Sequence, residues 1–150
     1  NYYIKKPGTS GMEDSVTIGM PSHLDMVHQK NNDTVFDLDT QGIEMHVVGD
    51  WVKAKGTTLG ADNGLVVATI MAILESTDIQ HPAIEALFTI DEETGMTGDM
   101  GLKGGLLSGG ILLNLDTEED NEIGVGCAGG VDVAATSTYK EEEKPECKIG

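Results

Sequence analysis

Acidic residues and one histidine stand at the ends of the apolar segments of this sequence, where their side chains could act together. A His-x-Asp pair follows the first apolar segment, three consecutive acidic residues follow a later one, and a single aspartate follows the last. The candidate metal ligands are His23, Asp25, Asp62, Asp91, Glu92, Glu93 and Asp116. In an open parallel sheet, ligands bind beyond the carboxyl ends of the strands. We therefore expect these side chains to meet in one crevice.

Such a crevice would concentrate negative charge that has to be neutralised. Two like charges about 4 Å apart repel by roughly 4 kcal/mol at an effective dielectric constant of about 20. Several neighbouring carboxylates therefore need bound cations or protons. One histidine with several carboxylates suits zinc, manganese or cobalt better than calcium, which takes oxygen ligands.

The spacing of the pair His23-x-Asp25 would allow the aspartate to orient the histidine. Residues i and i+2 of a strand share a face, so the Asp25 carboxylate could lie beside the His23 imidazole. From there it would fix the tautomer of the ring and raise its basicity, as carboxylates do for metal-bound histidines. Taken alone, a His-x-Asp pair is more often a surface feature than a metal site, so its weight depends on the other acidic residues.

Each of those other residues also has a purely structural interpretation. Asp62 could cap the helix that follows it, and the acidic run after Ile90 could be a solvated turn. Asp116 opens a stretch that partly resembles a calcium-binding loop, but Asn121 stands where an EF-hand requires glycine. The occurrence of acidic residues at successive element ends nevertheless favours a shared site.

The segments that would position these residues predict an α/β domain with a mostly parallel sheet. Alternating residues flank Gly49-Asp50, a dipeptide typical of two-residue hairpin turns. The other segments are typical of buried strands or of a helix packed on a sheet. These expected elements are a strand opening within residues 15–27, a helix at residues 64–76, and strands at residues 83–90 and 109–115.

The last part of the sequence changes character after "GCAGG". It begins like a strand at Val131 and then becomes charged and extended. We expect a domain boundary after residue 129, with one domain over residues 1–129 and either the start of a further domain or an extended tail over residues 130–150. The sequence also begins without a methionine and almost within a strand, which suggests part of a longer protein.

Charge and composition limit the classes of partner. The 150 residues carry 26 acidic side chains against 9 basic ones, all of them lysine, for a formal net charge of -17. Neutralising nucleic-acid phosphates or an anionic membrane is not expected of such a chain. The two cysteines, Cys127 and Cys147, are too few for a disulfide framework. We expect a cytoplasmic protein.

Five segments, taken in order, resemble the aminoacyl-histidine dipeptidases (Xaa-His dipeptidases, peptidase D). They are "SHLDMV", "GTTLGADNGLVVA", "TIDEETGMTG", "LLNLDTEE" and "GCAGG". This family belongs to a clan of co-catalytic zinc exopeptidases that also includes aminoacylases and glutamate carboxypeptidases. The resemblance implies a three-layer α/β sandwich of the zinc-exopeptidase type, here incomplete at both ends. It also implies hydrolysis of short peptides, above all dipeptides with a free amino group and a C-terminal histidine.

The resemblance further implies a site with two divalent metal ions, zinc first, with manganese or cobalt as alternatives. Asp62 would bridge the ions, His23 and Asp116 would complete one, and Glu93 with a further histidine would hold the other. The remaining residues of the site would act on protons and orientation: Asp25 would orient the imidazole and Glu92 would be the general base. The peptide after the bridging aspartate would be cis.

The sequence departs from the family in extent. Family members are considerably longer, with a preceding segment, an inserted lid domain and a returning part of the catalytic domain. None of His28, His46 or His81 is a convincing substitute for the missing ligand histidine, and no arginine is present to bind a substrate carboxylate. We therefore expect these 150 residues alone to bind metal weakly and to hydrolyse little.

Two alternative functions remain open. The protein could be another hydrolase of the clan, such as an exopeptidase, an aminoacylase or a deacetylase. It could also be a non-catalytic acidic metal-binding domain. Separately, the full-length protein could form a homodimer.

Overall fold

The computed structural model describes residues 1–117 and 121–143. Its elements in chain order are β1 (Tyr2–Lys6), β2 (Ile18–His23), β3 (Met45–Val48), β4 (Trp51–Ala54), α1 (Ala61–Glu75), β5 (Ile84–Thr89), α2 (Thr97–Met100) and β6 (Ile111–Leu112). No helix within the described ranges is long and apolar enough to cross a bilayer.

Four strands form a mixed sheet in the order β1-β5-β2-β6. Strand β2 runs parallel to both β5 and β6, while β1 is antiparallel to β5 at the edge. The register pairs Ile18 with Ile84 and His23 with Thr89. The expected α/β character is therefore confirmed in its coarse form, and the three-layer arrangement stays a prediction.

The core forms where helix α1 packs against strands β2 and β5. All six residues of β5 are buried, as the apolar run of residues 83–90 predicted. The buried apolar cluster contains Met20, Ile70, Ile84, Ala86 and Phe88. Burial of such side chains contributes about 1.5–3 kcal/mol each. A continuous core thus fixes the relative positions of two strand ends and one helix.

The start of α1 differs from an ordinary helix terminus. Gly60 has φ +76°, and Asp62 and Asn63 have non-helical backbone angles before the regular turns begin. The Asp62-Asn63 peptide bond is cis, as the family resemblance implied. No side chain caps this helix. The capping interpretation of Asp62 is therefore wrong, and its carboxylate is available for other contacts.

The predicted hairpin is confirmed at Gly49-Asp50. Strands β3 and β4 pair antiparallel, with Val48 opposite Trp51 across the turn. Gly49 has φ +60°, the left-handed conformation that such two-residue turns require.

The last apolar run forms a shorter and more exposed strand than expected. Only Ile111 and Leu112 are in strand β6, and they are 46% and 61% exposed. The expectation of a buried strand over residues 109–115 is wrong, because β6 lies at the edge of the described sheet and has β2 as its only partner there. Its direction is nevertheless parallel to β2, as predicted.

The chain divides into two units, Asn1–Glu118 and Glu119–Gly150. Residues 121–143 of the second unit contain no helix or strand, so the strand expected from Val131 is not formed. The domain boundary expected after residue 129 concerns a longer protein and stays a prediction. Cys127 is exposed, and Cys147 lies outside the described residues.

Candidate metal centre

The carboxyl ends of β2, β5 and β6 and the start of α1 bring the predicted site residues together. His23 is the last residue of β2, and its imidazole is only 3% exposed. Its Nε2 atom lies 3.2 Å from Asp62 Oδ1, 3.7 Å from Asp116 Oδ2 and 3.8 Å from Glu92 Oε2. Residues that follow two strand ends and one from a helix start thus surround a single ring nitrogen at the end of a third strand.

Glu93 joins the same cluster. One ligand atom from each of His23, Asp62 and Glu93 lies within 4.8 Å of the other two. The Asp62 side chain is 66% exposed, so the cluster opens toward solvent on one side while the imidazole is buried on the other.

The two nitrogens of His23 have different surroundings. Nδ1 lies 3.0 Å from the main-chain carbonyl oxygen of Asp25, and a carbonyl can only accept a hydrogen bond. Nδ1 therefore carries a proton and donates it. In the neutral ring, Nε2 then presents its lone pair to the carboxylates, which is the tautomer that a metal ligand needs.

Asp25 contributes to this orientation in a different way from the expected one. Its carboxylate Oδ1 is 3.5 Å from His23 Nδ1, whereas its own carbonyl oxygen is the closer partner of the ring. The tautomer of His23 is therefore fixed by the main chain, and the nearby carboxylate adds a favourable charge.

The pKa of His23 shows the strength of the negative surroundings. Burial works to lower this pKa, but the hydrogen bond to the Asp25 carbonyl and the charges of Asp116 and Glu92 outweigh it. The pKa of His23 is consequently raised above its ordinary value of 6.5. The cluster favours positive charge at the position of Nε2.

The donor set fits a divalent transition metal. Tetrahedral zinc with ligand bonds of about 2.0–2.1 Å separates its ligand atoms by roughly 3.3 Å. The distances from His23 Nε2 to Asp62 Oδ1 and to Asp116 Oδ2, at 3.2 and 3.7 Å, are close to that value. An imidazole lone pair facing carboxylates has no hydrogen to share, and a cation between them would satisfy both partners.

The chain leaves β geometry after β5, as the adjacent acidic residues required. Asp91 has φ +65° and the following residues form a turn. The Asp91 carboxylate accepts hydrogen bonds from the hydroxyls of Thr94 and Thr97, and these bonds lower the pKa of Asp91. Asp91 therefore stabilises the turn, and Glu92 and Glu93 can both approach the site.

The Asp25 carboxylate holds the same turn from the other side. Oδ1 accepts the N–H of Glu92 at 3.2 Å and Oδ2 accepts the N–H of Glu93 at 3.1 Å. Burial works to raise the pKa of Asp25, but these two amide donors outweigh it and the pKa is lowered. Asp25 is thus held as a carboxylate.

The pKa of Glu92 is shifted in the opposite direction to that of Asp25. Burial raises the pKa of Glu92, and the charges of Asp116, Glu93 and Asp25 add to this increase, whereas His23 opposes it. A carboxylate with a raised pKa accepts a proton more readily, which is what a general base near neutral pH requires.

A shallow cleft adjoins the cluster. It has a volume of about 320 Å³ and is lined by Val27 and by the segment leading into α1, with Asp62 and Glu93 at its border. A small molecule in this cleft would lie beside the carboxylates.

Sequence reasoning missed two buried polar residues. Glu85, in the middle of the sheet, accepts hydrogen bonds from Tyr3 Oη, Ser108 N, Ser108 Oγ and Gly109 N and pairs with Lys5. The signal in the sequence was that Glu85 is a single charged residue inside the apolar run "AIEALFTI". Asn63 is 2% exposed beside Asp62, and no pattern in the sequence distinguished it from a helix cap.

The other histidines lie outside the ligand cluster, as expected. His28 and His46 are exposed, and His81 is buried with Nδ1 donating to the Pro82 carbonyl at 2.7 Å. His23 is the one histidine in the metal-binding group found among the described residues.

Comparison with known proteins supports the resemblance to the aminoacyl-histidine dipeptidases. No family model matches the chain. The sequence is 47% identical over 145 residues to the cytosol non-specific dipeptidase of Escherichia coli strain K12, covering 97% of this chain and 30% of that protein. It is 29% identical over 134 residues to the uncharacterized protein YqjE of Bacillus subtilis strain 168, covering 87% of this chain and 32% of that protein.

Two solved peptidase structures are also similar to this chain. Aminoacylhistidine dipeptidase from Vibrio alginolyticus matches with a TM-score of 0.75 and 52% identity, over 79% of this chain and 24% of that one. Aminopeptidase PepT from Bacillus cereus ATCC 10987 matches with a TM-score of 0.59 and 27% identity, over 78% and 29% of the two chains. The resemblance to the aminoacyl-histidine dipeptidases is confirmed, for a chain that spans about a third or less of each relative.

Proposed function

We propose that this chain carries a metal centre that hydrolyses dipeptides, above all aminoacyl-histidine dipeptides. The observation that carries the proposal is the arrangement of three carboxylates around His23 Nε2, in a chain that is 47% identical to a named dipeptidase. Because the chain spans only 30% of that relative, the activity belongs to the complete protein. We expect the 150 residues alone to hydrolyse little, since the resemblance implies a further ligand histidine and His23 is the one histidine in the described metal-binding group.

The site would hold two divalent ions, with zinc as the first choice and manganese or cobalt as alternatives. Asp62 would be a ligand shared by both ions, His23 and Asp116 would hold one of them, and Glu93 with a further histidine would hold the other. When bound, the ions supply Lewis-acid activation of water and of the scissile carbonyl. The buried imidazole and its main-chain partner keep one ligand in a fixed orientation.

Glu92 carries the proton. It accepts a proton from water as the water oxygen bonds to the peptide carbonyl carbon, and it donates that proton to the amine nitrogen as the C–N bond breaks. The raised pKa of Glu92, caused by burial and by neighbouring carboxylates, suits both directions of transfer. Asp25 and His23 position the groups around it.

Replacing Glu92 by Gln in the complete protein tests this assignment. The change keeps the size of the side chain and removes its ability to accept a proton, so turnover should fall by about 100-fold or more. Metal content, measured by elemental analysis, should not change. The matched control is Glu44→Gln, at an exposed ion pair with Lys55, which should keep full turnover. Unchanged turnover in the Glu92 variant would overturn the assignment.

The proposal extends to partners and location. Substrates are short peptides, and the net charge of -17 disfavours binding to nucleic acid or to an anionic membrane. We place the protein in the cytoplasm, in keeping with the word cytosol in the name of its Escherichia coli relative. The complete protein could be a homodimer.

A second candidate is an aminopeptidase acting on longer peptides. It is favoured by the structural match to an aminopeptidase at a TM-score of 0.59. Comparing cleavage of aminoacyl-histidine dipeptides, tripeptides and acylated amino acids by the complete protein separates the two candidates, and also tests for an aminoacylase or deacetylase. Metal binding without any cleavage would indicate a non-catalytic domain.

A further inference from the structure

We propose that the carboxylate of Asp25 is the anchor of the Glu92–Glu93 turn, and that it positions both glutamates directly through their main-chain N–H groups. Its effect on turnover rests on the proposed function, whereas its hold on the turn does not. The inference assigns Asp25 as a positioning residue for a pair of side chains that lie far from it in the sequence.

The contact between Asp25 and the turn consists of two hydrogen bonds. Each carboxylate oxygen of Asp25 accepts one hydrogen bond, Oδ1 from Glu92 N and Oδ2 from Glu93 N, at 3.2 and 3.1 Å. Two consecutive main-chain N–H groups that converge on one anion form a concave anion-binding arrangement. Because both oxygens are engaged, the carboxylate fixes the direction of the turn as well as its distance.

The turn needs such an anchor because the sheet does not extend to it. The last strand-like contact between the two segments is Leu24 N to the Thr89 carbonyl, at 2.9 Å. Beyond Thr89 the chain adopts a positive φ at Asp91. The contacts made by Asp91 tie the turn to its own later residues, whereas Asp25 ties it to the strand that carries His23.

The role is separable from His23. The ring donates to the main-chain carbonyl of Asp25 at 3.0 Å, while the carboxylate is 3.5 Å from Nδ1. A side-chain substitution at position 25 keeps that carbonyl, so it can release the turn while leaving the imidazole in place.

The consequence reaches both functions of the turn. The side chains of Glu92 and Glu93 extend from the two residues whose N–H groups are held. Glu92 Oε2 is 3.8 Å from His23 Nε2, and Glu93 shares the ligand cluster with His23 and Asp62. The Asp25 carboxylate therefore fixes the main-chain positions of Glu92, the proposed proton carrier, and of Glu93, a proposed metal ligand.

The first test uses the unaltered full chain without metal. Nuclear magnetic resonance can detect scalar coupling across a hydrogen bond, from the amide nitrogens of Glu92 and Glu93 to the carboxyl carbon of Asp25. We expect both couplings. Their absence in a sample that shows the corresponding coupling between Leu24 N and the Thr89 carbonyl carbon would overturn the proposal.

The second test measures amide hydrogen exchange in Asp25→Asn. An amide side chain has only one oxygen acceptor and no charge, so exchange at Glu92 and Glu93 should accelerate by about tenfold or more. Unchanged exchange at Ala86, in the core strand, would show that the variant folds. The matched control is Asp37→Asn, because Asp37 also accepts a main-chain N–H, from Asp39 at 3.0 Å, in an exposed loop. Equal exchange at the turn in both variants would overturn the proposal.

The third test links the anchor to turnover in the complete protein. If Asp25 acts partly by positioning Glu92, then at equal metal content Asp25→Asn should lower kcat by a larger factor in the parent than in the Glu92→Gln variant. Multiplying effects would overturn the link. If the parent protein cleaves no peptide, the proposed function fails, and the exchange and coupling results still decide whether Asp25 anchors the turn.

Discussion

His23 is buried on one side and faces carboxylates on the other, and this asymmetry defines the centre. Its ring is fixed by a main-chain carbonyl at 3.0 Å, so the orientation of the ligand does not depend on a mobile side chain. Among the acidic residues, Glu92 and Glu93 are chemically the same. The path of the backbone brings Glu92 to a position where burial and neighbouring carboxylates raise its pKa, and it places Glu93 in the group with His23 and Asp62.

Glu85 shows that a buried carboxylate can have a purely structural task. Its hydrogen bonds from Ser108, together with those from Lys5 and Tyr3, hold its pKa well below the ordinary value of 4.5. A lowered folded-state pKa means that the group stabilises the fold above the unfolded pKa and that this stabilisation is lost as the pH falls.

We expect Glu85→Gln to lower the free energy of unfolding by about 2–3 kcal/mol at pH 7, because several donors lose a charged acceptor. The difference should shrink as the pH falls below 4.5. Denaturant unfolding at pH 7 and at a pH well below that value measures it. The control Glu44→Gln, at an exposed ion pair, should change stability by less than about 1 kcal/mol. A difference that does not vary with pH would contradict the assignment.

Helix α1 positions Asp62 through an unusual start. Gly60 has φ +76°, and a Cβ atom there would lie 2.7 Å from Met26 Sδ. The segment that carries Asp62 therefore depends on the absence of a side chain at position 60. Gly64 lies in the same helix, but a Cβ atom there would meet no atom within 4 Å.

Alanine substitutions at these two glycines should have opposite effects. Gly60→Ala should destabilise the protein by about 1–2 kcal/mol because of its left-handed conformation, and the contact with Met26 should add to that cost. Gly64→Ala should stabilise it by about 0.5–1 kcal/mol through lower chain entropy in the unfolded state. Thermal unfolding of both variants gives the comparison. The same sign for both would contradict the structural account.

The sequence predicted these elements where the information was local. The Gly49-Asp50 hairpin, the helix from residue 64 and the buried strand β5 all follow from periodicity, length or turn chemistry, and the site residues follow from their places at element ends. The exposure of β6 did not, because an edge position depends on which strands are present. The acceptors of the Glu92 and Glu93 amides could not be predicted either, since Asp25 is 67 and 68 residues away in the chain.

Across the whole chain, the formal net charge of -17 works against compaction. Self-repulsion of like charges destabilises the folded state, and the centre concentrates several carboxylates at one point. Divalent ions bound there would remove the part of this repulsion that acts over the shortest distances.

Metal binding should therefore raise thermal stability. An ion that binds only the folded state at a hundred times its dissociation constant adds about 2.7 kcal/mol. Zinc or manganese should raise the Tm of the complete protein, and a chelator should reverse the effect. Asp62→Asn should abolish the increase, whereas Asp37→Asn, in an exposed loop outside the metal-binding group, should keep it. An equal increase in both variants would place the bound ions elsewhere.

The parallel pairing of β2 with β5 and β6 also determines when the centre can exist. Parallel neighbours require long crossovers, so His23 and Asp62 are already 39 residues apart, and Asp116 follows much later. During synthesis, His23 leaves the ribosome before the hairpin, helix α1 and the acidic turn, and Asp116 follows all of them. The centre can therefore form only after Asp116 has been synthesised, and the segments before it have to begin folding without the complete centre.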